Sequence, residues 1–167
     1  MNTLNVFLFH SINNMAGQYL WLDRGIIFLT TYLAYSVSIA VGIYVCVWVP
    51  LRKDISVARL FSVLHGIELF FSVGLTALSM KLIKVLVAEP RPFDTLSNVH
   101  QLVLETGYAF PSGHASITFA VAAVVYFYHK RLGMFLYLFA VLVALSRVYV
   151  GVHYPFDIVA GAILGIA

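Results

Sequence analysis

The chain has 167 residues, of which 62% are hydrophobic and only 10% are charged, and its mean hydropathy is +0.94. This composition is too apolar for a water-soluble surface and too poor in charge for a disordered chain, so it indicates an integral membrane protein. The net charge of +3 is small and the basic residues are scattered, which argues against nucleic acid as a partner.

Residues 1–20 are predicted to form a short helix at the membrane surface. They combine apolar residues such as Leu4 and Phe7 with the polar Asn13 and Asn14. A segment of this length and mixed polarity does not cross a bilayer, but it can lie in the interface.

Five apolar stretches follow, and each is interpreted as a membrane span. A helix needs about 20 apolar residues to cross about 30 Å of hydrocarbon. The predicted spans are residues 25–51, 60–87, 115–128, 132–147 and 155–167. The last would make a helix of only about 20 Å, so we expect it to continue in a longer chain. Residues 1–167 are therefore predicted to form one all-α domain, a polytopic bundle of about five transmembrane helices plus an N-terminal interfacial helix.

Basic residues in short loops predict the orientation of this bundle. Arg52 and Lys53 follow the first span, and Lys130 and Arg131 separate the third from the fourth. Since Lys and Arg are enriched in cytoplasmic loops, both loops are predicted to face the cytoplasm. Residues 84–114 and 147–157 then share the opposite, extracytoplasmic face.

A first polar group on that face ends the second span. Lys84 occupies the last turn, while Pro90 and Pro92 force the chain out of the helix and hold Arg91 on a rigid extended stretch. Two cations are thus held at the membrane surface, where they can bind an anion. A basic helix end followed by a proline stop is the simpler alternative.

A second group, Pro111-Ser112-Gly113-His114, directly precedes an apolar helix. The free N–H groups of a helix start, a serine hydroxyl and a glycine that permits close approach make a cradle for an anion. His114 would lie beside that anion. The alternative is an ordinary serine cap followed by a solvent-facing histidine.

A third group follows the fourth span. Arg147 lies near its end, His153 lies just before Pro155, and Asp157 falls in the first turn of the last helix. A carboxylate there can accept the proton of one imidazole nitrogen and leave the other as a nucleophile. A capping aspartate beside an unrelated histidine is the alternative.

Together the three groups supply three cations, backbone donors, a serine and two histidines on one membrane face. Ionisable groups at membrane depth are costly, so their convergence predicts a functional site. The cations match a phosphoryl group, whose negative charge spreads over three oxygens during transfer. Arginine can bind two of those oxygens at once.

In this order, Lys84-x6-Arg91-Pro92, Pro111-Ser112-Gly113-His114 and Ser146-Arg147-x5-His153-x3-Asp157 resemble the three-part signature of the type 2 phosphatidic acid phosphatase (PAP2) superfamily. The resemblance implies a membrane lipid phosphatase without metal or other cofactor. It implies that His153 attacks phosphorus to form a phosphohistidine, that Asp157 orients His153, and that His114 protonates the departing oxygen. The residues implied to hold the phosphoryl oxygens are Lys84, Arg91, Ser112, Gly113 and Arg147.

The short start, including Phe9, His10 and Asp23, and the five spans further resemble the bacitracin-resistance type of undecaprenyl-diphosphate phosphatase. Gly113 departs from that subgroup, in which an aspartate often stands at this position. The resemblance implies hydrolysis of undecaprenyl diphosphate for cell-wall carrier recycling, at the outer face of a bacterial inner membrane. Phosphatidylglycerol phosphate, phosphatidate and lipid A remain alternatives, because each presents a phosphate at the same depth.

Some further polar residues allow a different class of function. His65 and Glu68 share one face of the second span. A proton relay there would indicate an ion-coupled transporter, whereas an interhelical hydrogen bond is the simpler interpretation. Gly161 and Gly165 form a GxxxG pattern, which we expect to pack within the chain rather than drive dimerisation.

The outer loop between the first two motifs carries several polar side chains without an assigned role. We expect them to be solvated loop residues rather than contacts to a substrate: Glu89, Asp94, His100 and Glu105.

Overall fold

The structure, a computed structural model, describes residues 3–45 and 57–167. Every regular element in these ranges is helical, which confirms the predicted all-α class. In chain order the helices are α1 (Thr3–Asn13), α2 (Leu20–Ile43), α3 (Val57–Val87), α4 (Pro92–Thr95), α5 (Gly113–Tyr128), α6 (Lys130–Tyr149) and α7 (Pro155–Ile166). Helix α2 includes a π-helical turn, Leu29–Leu33.

Within the described ranges, three regions are long and apolar enough to cross a membrane: Leu20–Ile43, Val63–Thr95 and Lys130–Tyr149. Helices α5 and α7 are also apolar but contain 16 and 12 residues. The count of five spans therefore stays a prediction. The basic loop with Arg52 and Lys53 lies outside the described residues.

The first span begins earlier than the charge pattern predicted. Residue 25 was the expected start because Asp23 and an arginine precede it, yet α2 begins at Leu20. The carboxylate of Asp23 is buried and accepts hydrogen bonds from the Tyr149 hydroxyl, 2.8 Å away, and from the Gly17 N–H, 3.1 Å away. Because the protein satisfies this charge internally, the helix can include it without exposing it to lipid.

Helix α5 is the central element, and two glycines of α7 allow the two helices to approach each other closely. A Cβ atom at Gly161 would lie 2.6 Å from the carbonyl oxygen of Ser112, and one at Gly165 would lie 2.3 Å from that of Ser116. No real Cβ contact is that short, so both glycines are needed where α7 crosses α5. The GxxxG pattern packs within the chain, as predicted.

Helix α1 braces the end of the bundle at which α6 finishes and α7 starts. Asn13 donates from Nδ2 to the carbonyl oxygens of Tyr149 (2.8 Å) and His100 (2.9 Å). Asn5 accepts from the N–H of Phe156 at 3.0 Å. Phe9 is fully buried in the core beside these contacts. The placement of α1 in the membrane interface stays a prediction.

The polar pair on α3 forms an interhelical contact. The Tyr128 hydroxyl on α5 donates to Glu68, and the His65 ring stacks on the Tyr128 ring with centroids 3.5 Å apart. This confirms the simpler of the two interpretations, a hydrogen bond between helices.

Candidate active site

The predicted site residues meet at one end of the bundle. The last turns of α3 and α6 lie there together with the first turns of α5 and α7, and the N–H of Ser112 donates to the carbonyl oxygen of Asp157 at 3.0 Å. The structure thereby brings together all eight residues that the motifs indicated: Lys84, Arg91, Ser112, Gly113, His114, Arg147, His153 and Asp157.

His153 and Asp157 form a buried pair at the start of α7. Nδ1 of His153 lies 3.3 Å from Oδ2 of Asp157, which also accepts the N–H of Tyr154 at 2.8 Å. The pairing follows from local sequence, because Pro155 starts the helix and Asp157, two residues later, turns back toward the residues that precede it. A proton on Nδ1 directed at this carboxylate leaves Nε2 of His153 with a lone pair.

The second ring nitrogen of His153 faces a cation. Nε2 lies 3.5 Å from Nη1 of Arg91. Burial, together with the charges of Arg147 and Arg91, holds the pKa of His153 well below its usual range. The imidazole is therefore neutral near pH 7, as a nitrogen nucleophile has to be.

Arg91 is fixed by backbone carbonyl groups. It adopts the predicted extended conformation, with Pro92 opening α4 after it. Its guanidinium donates from Nε to Gly107 (2.8 Å), from Nη1 to Val152 (2.9 Å) and from Nη2 to Thr106 (2.9 Å). With only 3% of its surface exposed, this arginine is part of the framework of the site.

Lys84 also reaches the loop that precedes α5. Its Nζ donates to the carbonyl oxygens of Tyr108 (2.5 Å) and Ala109 (3.2 Å). The charges of Arg91, Arg147 and Asp157 all act on it, so it belongs to the same electrostatic cluster.

Arg147 and Arg91 share a carboxylate that the sequence analysis had placed in solvent. Nη2 of Arg147 pairs with Oε2 of Glu105, and Nη2 of Arg91 lies 3.8 Å from Oε1 of the same residue. The expectation that Glu105 is a solvated loop residue is therefore wrong. Two buried guanidinium groups this close need a counter-charge, and Glu105 supplies it.

His114 lies in the first turn of α5 and contacts α2. Its Nδ1 is 3.5 Å from the hydroxyl oxygen of Tyr35, and the two ring centroids are 4.6 Å apart. It also hydrogen bonds to the backbone of Thr30. Arg147 in turn donates from Nη1 to the Thr30 hydroxyl at 2.8 Å.

Thr30 and Tyr35 are site residues that the sequence analysis missed. Both occur in an apolar stretch that was interpreted simply as a span. Thr30 falls in the π-helical turn of α2, a distortion that is frequent at functional sites. The sequence signal that could have found Thr30 is a hydroxyl residue inside an apolar span, at the end of the span on the same membrane side as the motifs.

Three buried polar side-chain atoms in the described ranges have no hydrogen-bond partner: Ser112 Oγ, Arg147 Nε and Asp157 Oδ1. Buried polar atoms are nearly always paired, and these three belong to the predicted site.

At Gly113 a Cβ atom would be 3.4 Å from Met80, an ordinary contact, so the site leaves room for a side chain at this position.

An apolar groove of about 360 Å³ lies between α2, α3 and α5, close to His114. Tyr35, which contacts His114, is also part of its wall. The groove is lined by Tyr35, Ser38, Ile39, Gly42, Leu69, Phe70, Val73, Gly74, Ala77, Ile117 and Val121.

Comparison with known proteins gives a consistent result. Residues 65–167 match the PAP2 superfamily. The bacitracin transport permease protein BcrC of Bacillus licheniformis is 29% identical over 164 residues, which cover 98% of this chain and 76% of that protein. The undecaprenyl-diphosphatase of Sulfolobus acidocaldarius is 33% identical over 163 residues, covering 96% and 73%. The crystal structure of Aquifex aeolicus LpxE superposes with a TM-score of 0.77 and 27% identity, covering 99% of this chain and 92% of that one.

Proposed function

This chain belongs to the PAP2 superfamily and is a multi-pass membrane lipid phosphatase, and on that basis we propose that it hydrolyses undecaprenyl diphosphate to undecaprenyl phosphate and phosphate. The Sulfolobus relative that is named for this activity aligns with 96% of the chain. The observation that carries the proposal is the buried His153–Asp157 pair, whose free imidazole nitrogen faces Arg91 at 3.5 Å.

The first chemical step is attack of His153 on the terminal phosphorus. A bond forms between Nε2 and phosphorus, while the bond to the bridging oxygen breaks and its electrons remain on undecaprenyl phosphate. Asp157 keeps the proton on Nδ1 and stabilises the positive charge that the ring acquires. His114 gives its proton to the departing oxygen.

In the second step His114 acts as a base, and His153 is the group that leaves phosphorus. His114, now neutral, takes a proton from water, and the water oxygen attacks the phosphohistidine. The bond between phosphorus and Nε2 breaks, inorganic phosphate is released and His153 is again neutral. In both steps the oxygens of the transferred group are held by Lys84, Arg91, Arg147, the Ser112 hydroxyl and the backbone N–H groups from Gly113 onward.

The apolar groove suits the hydrocarbon part of the substrate. A polyprenyl or acyl tail that lies between α2 and α3 would pass Tyr35 and present its phosphate to His114. Because this argument holds for several lipids, phosphatidylglycerol phosphate, phosphatidate and lipid A are retained as alternative substrates.

We further propose that the protein lies in a bacterial inner membrane with its active site at the outer face. The junction of α5 and α6 carries Lys130 and Arg131 and lies at the other end of these helices from the site. Basic junctions of this kind face the cytoplasm, so the site would face outward.

The test is phosphate release by the purified protein in detergent and EDTA, with undecaprenyl diphosphate and phosphatidylglycerol phosphate supplied in parallel. The described residues contain no cluster of three or more His, Cys, Asp or Glu side chains suited to an ion, so EDTA is expected to leave turnover intact. His153→Ala should abolish turnover. The control is His129→Ala, which should not, because His129 is an exposed residue between α5 and α6.

Each result has a distinct meaning. Faster release from the diphosphate supports the proposed substrate, and a faster reaction with the glycerophospholipid moves the protein to phospholipid synthesis with the same mechanism. Loss of turnover in EDTA that magnesium restores would refute the metal-independent mechanism. Phosphohistidine is hydrolysed in acid, so mass spectrometry of protein kept at neutral to basic pH tests the covalent step directly: a phosphorylated imidazole should be present in the wild type and absent in His153→Ala.

A further inference from the structure

One loop segment, residues 105–109, supplies hydrogen-bond acceptors to all three cations that the proposed function assigns to phosphate. Its carbonyl oxygens accept from Arg91 and Lys84, and the carboxylate of Glu105 pairs with Arg147. This segment therefore already satisfies part of the hydrogen-bonding capacity of each of the three cations in the free protein.

Glu105 is the charged member of that segment. Within the described residues it is the only carboxylate within 4 Å of either guanidinium group. Its side chain is 30% exposed, whereas those of Arg91 and Arg147 are 4% and 2% exposed. An anion that bridges two buried cations from a partly exposed loop can turn toward solvent, which the arginines cannot do.

The two arginines differ in how they are held. Arg91 donates to three backbone carbonyl oxygens, which remain in place as long as the loop is folded. Arg147 donates to the Thr30 hydroxyl and to Glu105, and its Nε is buried without a partner in the described ranges. Nε and Nη2 form one edge of a guanidinium, the edge that can bind two oxygens of a phosphoryl group. Glu105 uses Nη2 of that edge and leaves Nε unpaired.

We propose that Glu105 is a built-in competitor of the substrate phosphate: its carboxylate occupies the anion position on Arg147 in the free enzyme and leaves it when the lipid phosphate binds. The inference rests on the proposed function. A carboxylate and a phosphate that both contact the same edge of Arg147 would repel each other, so they exchange rather than share the position. The same exchange lowers the affinity for inorganic phosphate and so favours release of the product. Glu105 is thus a residue that sets phosphate affinity, without taking part in bond making or breaking.

The test measures competitive inhibition by inorganic phosphate in the wild type and in Glu105→Gln. Removing the competing charge should lower the inhibition constant of phosphate by about tenfold, which corresponds to about 1.4 kcal/mol. The KM for the lipid should fall in parallel, without an increase in kcat. If Glu105 served merely to hold the arginines in position, both constants would rise and kcat would fall.

A charge-matched control separates local from general effects. Glu89→Gln removes one negative charge from the same end of the bundle, but Glu89 makes no ion pair with either arginine. Its phosphate inhibition constant should stay within twofold of the wild type. An equal fall in both variants would overturn the inference, as would an unchanged or higher constant in Glu105→Gln.

A second measurement does not depend on lipid turnover. Added inorganic phosphate should raise the melting temperature of detergent-solubilised Glu105→Gln at lower concentrations than it does for the wild type. If Glu105→Gln does not fold, Glu105→Asp retracts the charge by one methylene and should lower the inhibition constant severalfold; no change there would also overturn the inference. A wild type that hydrolyses no lipid phosphate refutes the proposed function, whereas turnover with phosphate affinity unaffected by Glu105 refutes only this inference.

Discussion

Replacement of Asp157 by asparagine tests the link between the carboxylate and the nucleophile. In the structure Oδ2 of Asp157 accepts from the Tyr154 N–H at 2.8 Å and lies 3.3 Å from Nδ1 of His153. Asparagine keeps one oxygen, which can cap the helix by accepting from Tyr154. Its amide group cannot supply the negative charge that stabilises a positively charged His153.

The magnitude follows from the interaction with His153, which asparagine does not reproduce. A hydrogen bond to a charged group contributes about 1.5–3 kcal/mol, and the counter-charge becomes important only when the ring of His153 turns positive in the transition state. We expect kcat of Asp157→Asn to fall by about 10- to 150-fold, equivalent to about 1.5–3 kcal/mol. KM should change little, because the lost interaction strengthens after the lipid has bound.

The assay is steady-state phosphate release from a lipid phosphate, and Asp94→Asn is its matched control. Asp94 occupies the third position of α4 and accepts the N–H of Arg91 at 3.4 Å, just as Asp157 accepts that of Tyr154 in α7. Asp94→Asn therefore alters a cap of the same kind without touching an imidazole, and kcat should fall by less than about fivefold. A kcat for Asp157→Asn within threefold of the wild type, or equal losses in both variants, would refute the reasoning.

Two further predictions concern the leaving group and the tail. His114→Ala should slow the first half-reaction, followed as release of the leaving group in a single turnover, by at least about 10²-fold for a lipid phosphate monoester but much less for an aryl phosphate, whose acidic phenol departs without a proton; equal losses in this first step would contradict its role as general acid. Gly74→Leu should raise KM about three- to tenfold for long-tailed lipids and leave short-chain phosphate esters unaffected, because Gly74 lines the apolar groove and a Cβ atom there would have no neighbouring residue within 4 Å, which leaves space for a leucine to narrow the groove. Gly25→Leu, also unobstructed but outside the groove wall, is the control, and an equal rise in KM there would exclude the groove as the tail site.

Local sequence was sufficient to predict those parts of the site that proline and helix caps determine. Pro155 sets the start of α7, and the spacing to Asp157 then brings its carboxylate to His153. Pro92 similarly sets the start of α4 and leaves Arg91 extended, as expected. In both places the geometry depends on a few neighbouring residues, so it could be derived without knowledge of the fold.

Contacts between distant parts of the chain could not be derived in this way. Arg147 is 42 residues from Glu105 and 117 residues from Thr30, and His114 is 79 residues from Tyr35. These contacts depend on how the loop before α5 folds back over the cations and on the π-helical turn in α2. Neither feature has a periodicity or a motif that a single sequence reveals, so Glu105 was mistaken for a solvated residue and α2 for a plain span.

The missed residues share one electrostatic cause. Arg91 and Arg147 are buried at one end of an apolar bundle, and unpaired charges there would cost several kcal/mol each. A site that binds phosphate must therefore stabilise its own cations before substrate arrives, yet release them when it does. Backbone carbonyl groups meet the first requirement for Arg91 and remain in place, whereas Glu105 meets both for Arg147, since a carboxylate on a partly exposed loop is strong enough to stabilise the cation and free enough to leave it. The affinity of such a site for phosphate then depends on the difference between the free energy of binding phosphate and that of binding the Glu105 carboxylate. A substitution of Glu105 changes this difference without altering the catalytic groups.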